Sequence, residues 1–234
     1  MTGKTHISVG LLAGLALTRF GVVANGSEMV ILPFIASCGI GATLPDIDHH
    51  NSTITKKTGI IGKAISGTSK HRGFYHSALS IVLLYMATLL LTSKIEENLA
   101  YSTIVLGIIA FLILLPYITK ALGITKKFNS NQFNMLLALI AGTAVISIII
   151  SGKPLILVMS SIFEGLVVGA ASHIIADALN PKGVPLLWPI PGMIKFPIIS
   201  ITTGTPAETG IMVVCNLTSM YFIYIIIKEG IPLW

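Results

Sequence analysis

Seven long apolar runs, separated by short polar connections, dominate this chain of 234 residues. The runs cover roughly 7–24, 29–44, 77–93, 99–118, 133–151, 154–179 and 210–228. A helix needs about 17–25 residues to cross the hydrocarbon core of a bilayer, and the third to seventh runs have that length. Hydrophobic residues make up 53% of the chain and charged residues 10%, against about 25% charged residues in soluble domains. The sequence therefore predicts an all-α, polytopic membrane bundle of about seven transmembrane helices. It excludes a disordered chain, a fibrous repeat and an ordinary cytosolic enzyme.

The first two runs are the least typical, because the first contains Arg19 and the second is short. The Asn-Gly-Ser sequence at 25–27 is a turn signal and predicts a helical hairpin. The first run also resembles a signal peptide, but no small-residue cleavage site follows it, so we interpret it as an anchor. No internal repeat is present, and residues 1–234 are expected to form one domain.

Lysine and arginine are unevenly distributed over the connections. Segments 45–76, 119–132 and 180–209 contain ten of them, whereas 25–28 and 94–98 contain only Lys94. Positive residues favour the cytoplasmic side, so we expect the N-terminus inside and the C-terminus outside. The net charge of +6 then reflects orientation and contact with anionic lipid rather than nucleic acid. Cys38 and Cys215 lie within apolar runs and are interpreted as packing residues.

The aspartates and histidines are concentrated in four short segments. All three Asp and all six His lie in 5–6, 44–52, 71–77 and 172–177. The predicted topology places all four segments at the cytoplasmic ends of helices, so we expect one shared site. Imidazole with carboxylate is typical of zinc, manganese or iron(II) sites.

The sixth run contains the most informative spacing. His173 and Asp177 are four residues apart and therefore share a helix face. Gly165 and Gly169 continue the same row, and small residues allow a neighbouring helix to approach closely. The alternative is a packing stripe with a single His–Asp pair.

Asp46 and Asp48 follow Pro45, and two carboxylates this close repel each other unless a cation lies between them. The alternative is an ordinary turn or cap. His6, His71 and His76 are further candidate ligands. His6 and His76 lie near the starts of the first and third predicted helices, and His71 lies in the loop before the third. The alternative for His6 is a solvated histidine at the interface. His49 and His50 are weaker candidates, because neighbouring residues do not easily both point inward.

Three other charged residues have more than one interpretation. Arg72 can bind phosphate in a bidentate manner through its planar guanidinium group. Alternatively, it is only a positive residue that favours the cytoplasmic side of the membrane. Glu208 is the only acid between Asp177 and Glu229, and it is a candidate ligand or general base. Glu164 is nine residues before His173, on the opposite helix face, and is left out of the site.

Three motifs resemble a known family. The sequences 44–49 (LPDIDH), 71–77 (HRGFYHS) and Ser172-His173 with Asp177, followed by 180–189 (NPKGVPLLWP), resemble the LexA-regulated, membrane-bound, metal-dependent hydrolases of bacteria. Tyr75 stands where that family usually has Thr. The resemblance implies a multi-pass protein of the bacterial inner membrane. It also implies a distant similarity to zinc phospholipase C and P1 nuclease, and so a phosphoester substrate.

These observations predict a membrane-bound metal-dependent hydrolase acting on a lipid or lipid-linked phosphoester. One to three divalent ions are expected, most simply zinc, with manganese or magnesium as alternatives. The predicted ligands are His6, Asp46, Asp48, His71, His76, His173 and Asp177. Asp48 or Glu208 would accept a proton, and Arg72, with Lys70, would hold phosphate. The alternatives are a metal-ion transporter and a non-catalytic protein with a structural metal site. The sequence predicts no oligomeric state.

Overall fold

Seven α-helices account for most of the computed structural model, which describes residues 1–21, 28–69, 72–97, 155–197 and 200–229. Their bounds are α1 Gly3–Arg19, α2 Glu28–Gly41, α3 Thr53–Lys57, α4 Ile60–Thr68, α5 Ala78–Glu97, α6 Leu155–Ala178 and α7 Pro206–Glu229. Two 3₁₀ turns, Pro45–Asp48 and Phe74–His76, precede α3 and α5. The prediction of an all-α fold is confirmed, and five of the predicted runs coincide with α1, α2, α5, α6 and α7.

Three described segments are long and apolar enough to cross a membrane: Val30–Asp48, Leu157–Ala178 and Pro206–Glu229. Helix α5 contains a shorter apolar stretch, Ala78–Ser93. The predicted runs 99–118 and 133–151 lie outside the described residues, so the number of seven spans stays a prediction. Much of α5 and α7 is covered by exposed large apolar side chains, as expected for faces in contact with lipid.

Helix α6 is the centre of the bundle, and small residues allow α2 to pack directly on it. A Cβ atom added to Gly165 would overlap the Phe34 carbonyl oxygen and lie 2.7 Å from Ser37 Cβ. One added to Gly169 would overlap the Cys38 carbonyl oxygen. Gly165 lies beside Phe34, and Gly169, one turn later, lies beside Cys38. The two helices therefore run parallel, and both end on the same side of the bundle. The predicted role of the glycine row in close helix approach is confirmed.

Helices α1 and α7 run parallel to each other, away from that end. At their start, the amide of Thr2 donates to Glu208 Oε1. At their finish, Arg19 Nη2 lies 3.0 Å from Glu229 Oε2. The first residues of α1 and the last residues of α6 lie at the same end of the bundle, which we call the site end. The Arg19–Glu229 pair marks the opposite end of the bundle.

Candidate metal centre

Five ionisable side chains from four parts of the chain meet at the site end. They are His6 of α1, Asp46 of the first 3₁₀ turn, His76 of the second turn, and His173 and Asp177 of α6. Two overlapping groups, His6–His173–Asp177 and Asp46–His76–His173, each have ligand atoms within 4.8 Å of one another. His6, His76 and His173 are among the largest fully buried side chains described. The four segments therefore converge, as predicted from the polar residues.

His173 is common to both groups, and its orientation is set by α2. Its Nδ1 atom lies 2.7 Å from the carbonyl oxygen of Ala42. A carbonyl can only accept, so the proton is on Nδ1 and the lone pair is on Nε2. That Nε2 faces His76 Nε2 at 3.3 Å. A histidine that donates one ring nitrogen to a carbonyl and presents the other inward is the usual arrangement of a metal ligand.

Asp46 and Asp48 lie in the same 3₁₀ turn but have different surroundings. Proline at position 45 suits the first position of such a turn. The turn is held by Thr55, whose hydroxyl donates to the Ile47 carbonyl at 2.9 Å. Asp46 Oδ1 lies 3.8 Å from Nε2 of both His76 and His173. Asp48 is 1% exposed and lies outside both ligand groups.

Asp48 is placed behind His76. Its Oδ2 atom lies 3.3 Å from His76 Nδ1 and accepts from the backbone amide of Arg72 at 3.2 Å. This carboxylate lies on the Nδ1 side of the imidazole, while Nε2 faces the centre. Direct ligation by Asp48 stays a prediction, and the geometry supports an orienting role instead.

Arg72 is tied to the centre through its side chain. Nη2 lies 3.1 Å from Asp177 Oδ2, and Nη1 donates to the Gly183 carbonyl at 2.7 Å. The backbone of Arg72 has a φ of 59°, a left-handed conformation that costs a non-glycine residue free energy. The strain fits a residue that surrounding contacts hold in place. Binding of phosphate by Arg72 stays a prediction, while its contact with Asp177 is observed.

Asp177 is enclosed by positive and imidazole groups. Its Oδ1 atom lies 2.5 Å from the Met1 amino group and 3.3 Å from His6 Nε2. The His6 ring stacks on His173 with centroids 3.6 Å apart. His6 Nδ1 has no hydrogen-bond partner among the described residues.

Glu208 is engaged away from the imidazoles. Its two carboxylate oxygens accept from the backbone amides of Thr2 and Gly204, the latter at 2.7 Å. It is buried and ties the start of α1 to the turn before α7. The general-base role stays a prediction without support from this geometry.

The remaining candidates lie outside the cluster. His71 and Lys70 are not among the described residues. His49 is half-buried and His50 exposed, and neither belongs to a ligand group. Glu164 is exposed, in agreement with its assignment to the opposite face. Cys38 and Cys215 are free and buried, which confirms the packing interpretation.

A cavity of about 1380 Å³ reaches the cluster from the site end. Asp46, Asp177 and Arg72 are among the residues that line it. Two further cationic residues line this wall and were not among the candidates predicted from the sequence, namely Lys4 and Lys182. A signal for them was present, since Lys4 is two residues from His6 and Lys182 follows the Asn-Pro turn after Asp177.

The donor set fits a divalent metal. Nitrogen atoms of His6, His76 and His173 face carboxylate oxygens of Asp46 and Asp177 in a buried site, and His6 Nδ1 lacks a partner. Buried polar groups are normally satisfied, and imidazole with carboxylate is the ligand chemistry of zinc and neighbouring transition metals.

A family model and two relatives described as inner membrane proteins match this chain. The model of the YdjM inner membrane protein family matches residues 1–125 and 133–231. The YvsG protein of Bacillus subtilis (strain 168) is 26% identical over 97% of this chain and 96% of its own length. The inner membrane proteins YdjM of Escherichia coli (strain K12) and Shigella flexneri are each 25% identical over 100% of this chain and 89% of their own length. No solved structure gives a significant match.

The family match covers nearly the whole sequence and includes every segment that contributes to the cluster. Its description agrees with the apolar helices of the fold. The chain belongs to the family of YdjM inner membrane proteins.

Proposed function

We propose that this chain is a metal-dependent hydrolase embedded in the inner membrane, and that it cleaves a phosphoester in a lipid or lipid-linked substrate. The observation that carries the proposal is the meeting of His6, Asp46, His76, His173 and Asp177 in one cluster, of which Asp46 and Asp177 line a cavity. Resemblance of the three motifs to membrane-bound metal-dependent hydrolases supports the same chemistry.

The ligand assignment follows from the orientation of each group. His173 and His76 present Nε2, because their Nδ1 atoms face the Ala42 carbonyl and Asp48. Asp177 and Asp46 contribute carboxylate oxygens, and His6 lies beside Asp177. When bound, a divalent metal such as zinc lowers the pKa of a coordinated water towards neutrality and polarises a phosphoryl oxygen.

Asp46 Oδ1 faces the imidazoles, and the second carboxylate oxygen of Asp46 is the atom best placed to accept a proton from an attacking water. Asp46 lines the cavity with its side chain 20% exposed, whereas Asp48 is sealed behind His76. A general base must lie within hydrogen-bond reach of the proton that it removes. In this arrangement Asp48 positions His76 and Arg72 positions Asp177.

The substrate class is inferred from the cavity wall. Lys4, Arg72 and Lys182 supply positive charge, and Thr202 and Thr203 supply hydroxyl groups. Such a wall suits a phosphate group. Because the cavity lies at the end of membrane-spanning helices, a lipid substrate would arrive with its headgroup at the depth of the centre.

The test is turnover by the purified protein in lipid nanodiscs, with zinc, manganese or magnesium restored in separate samples. The panel contains phospholipids, lipid phosphates and a water-soluble phosphodiester. We expect release of a phosphorylated product or inorganic phosphate by the wild type and by Glu164→Gln, and none by Asp177→Asn. If the purified protein contains stoichiometric metal but turns over no substrate, the hydrolase proposal is contradicted. That result would favour the alternative of a structural metal site.

A metal-ion transporter is the rival from another class. Transport needs ionisable groups along a path across the bilayer. Among the described residues the candidate ligands gather at one end, and Glu164 is the acid at mid-helix in α6. Uptake of radioactive zinc into proteoliposomes would favour the transporter.

A further inference from the structure

The connection between α6 and α7 contains an exposed apolar hairpin that the metal centre does not use. We call residues 184–196 the 184–196 hairpin. Val184 and Ile194 form its only regular backbone pair, with N–O distances of 2.9 and 2.8 Å. Its exposed large apolar side chains are Leu187, Trp188, Ile190, Met193, Ile194 and Phe196, each at least 40% exposed. An exposed apolar patch of this kind usually marks an interaction surface.

The hairpin is held at the level where the spanning helices end. The amide of Phe196 donates to the carbonyl of Ala178, the last residue of α6, at 3.0 Å. The amide of Ala78, the first residue of α5, donates to the Leu186 carbonyl at 2.9 Å. The hairpin is therefore attached, through Leu186 and Phe196, to the site ends of two apolar helices.

The apolar surface continues from the hairpin onto a face expected to contact lipid. Trp188 packs edge-to-face on Phe74 with centroids 5.3 Å apart. Leu79, in the first turn of α5, is exposed, and so are Val82 and Leu83. One apolar surface thus extends from α5 to the hairpin tip.

The charges next to the hairpin indicate what kind of surface it contacts. Segment 180–205 contains Lys182 and Lys195 and no Asp or Glu, and both lysines are exposed. Tryptophan is enriched at the membrane–water interface. Lysine beside an apolar surface is attracted to anionic headgroups.

We propose that the 184–196 hairpin inserts into the lipid leaflet at the site end, and that Lys195 of the hairpin and Lys182 just before it bind anionic phospholipid. Insertion of interfacial apolar elements reaches about 5–10 Å into the headgroup and acyl boundary. Met193 and Lys182 belong both to this region and to the cavity wall, so the hairpin forms the lipid-side rim of the cavity. A role of this rim in substrate entry rests on the proposed hydrolase function.

Tryptophan fluorescence tests the insertion directly. The chain has two tryptophans, so Trp234→Phe leaves Trp188 as the only reporter. In nanodiscs we expect blue-shifted Trp188 emission that lipids brominated near the top of the acyl chain quench strongly. Emission typical of water without quenching would overturn the proposal. Blue-shifted emission without quenching would also overturn it and would indicate burial against a protein, either another polypeptide or a second copy.

Variants separate insertion from folding and from activity. Ile190→Glu is expected to abolish most of the quenching, and Ile190→Leu to retain it, with unchanged metal content in both. Lys182→Gln with Lys195→Gln is expected to remove the increase in quenching that anionic lipid causes. An increase that persists in this double variant would overturn the assignment of the two lysines.

The quenching measurement is independent of the hydrolase proposal. Quenching does not depend on turnover, so the result can be interpreted even if the hydrolase proposal fails. If the hydrolase proposal holds, Ile190→Glu is expected to slow turnover of a bilayer lipid and not of a water-soluble phosphodiester.

Discussion

The Nδ1 atom of His173 donates to the carbonyl oxygen of Ala42 across the α2–α6 contact. This hydrogen bond joins residues 131 positions apart in the chain and fixes both the tautomer and the direction of the ring. It exists because Gly165 and Gly169 allow α2 to approach α6 closely. The packing of two membrane helices thus determines which nitrogen of His173 faces the candidate metal centre.

Loss of the Asp177 charge is expected to remove most of the bound metal. Asp177→Asn keeps the size of the side chain but loses a carboxylate that faces His6, His173 and Arg72. His173→Ala is expected to have the same effect. Elemental analysis of the purified variants measures the metal. Glu164→Gln, on an exposed part of the same helix, is the matched control, and equal metal in all three would show that the ligand face is misassigned.

Arg72→Lys is expected to lower kcat/KM more than tenfold, or about 1.4 kcal/mol. Lysine is a point charge and cannot contact Asp177 and the Gly183 carbonyl together in the planar geometry of guanidinium. Steady-state kinetics and metal content are measured on the same preparations.

The two measurements distinguish the roles of Arg72. If it positions Asp177, metal affinity falls together with activity. If Arg72 binds the phosphate of the substrate, metal content stays at the wild-type level and KM rises. Full activity with full metal would leave Arg72 as a positive anchor only.

Gly169→Ala is expected to destabilise the bundle by about 1–3 kcal/mol, because the added methyl group overlaps the α2 backbone. It is also expected to weaken metal binding, since it separates Ala42 from His173. The midpoint of thermal unfolding in detergent measures the first effect. Gly210→Ala is the control, because a Cβ at that position of α7 meets nothing within 4 Å; equal midpoints for the two variants would contradict the close packing.

The site end is expected to face the cytoplasm. The described connections there carry Lys56, Lys57, Lys63, Lys182 and Lys195, and positive residues favour that side. In a variant without Cys38 and Cys215, a membrane-impermeant thiol reagent is expected to label Lys228→Cys in intact cells and Lys63→Cys only after lysis. The reverse labelling pattern would invert the topology.

The positions of the spans follow from sequence alone. Hydropathy is a local property, and the thickness of the bilayer sets the length of an apolar helix, so five predicted runs coincide with observed helices. The clustering of His and Asp was predictable for a related reason. Ionisable groups are costly within a bilayer, and their confinement to one set of helix ends indicates a shared site.

The division of roles within the site depends on tertiary structure. Asp46 and Asp48 are two residues apart in one turn, yet one faces the cavity and the other lies behind His76. Glu208 accepts from two backbone amides, and Arg72 contacts a carbonyl 111 residues away. Sequence spacing indicates which residues are near the centre, because helix and turn periodicity are local. The direction in which each side chain points is decided by partners that only folding brings together.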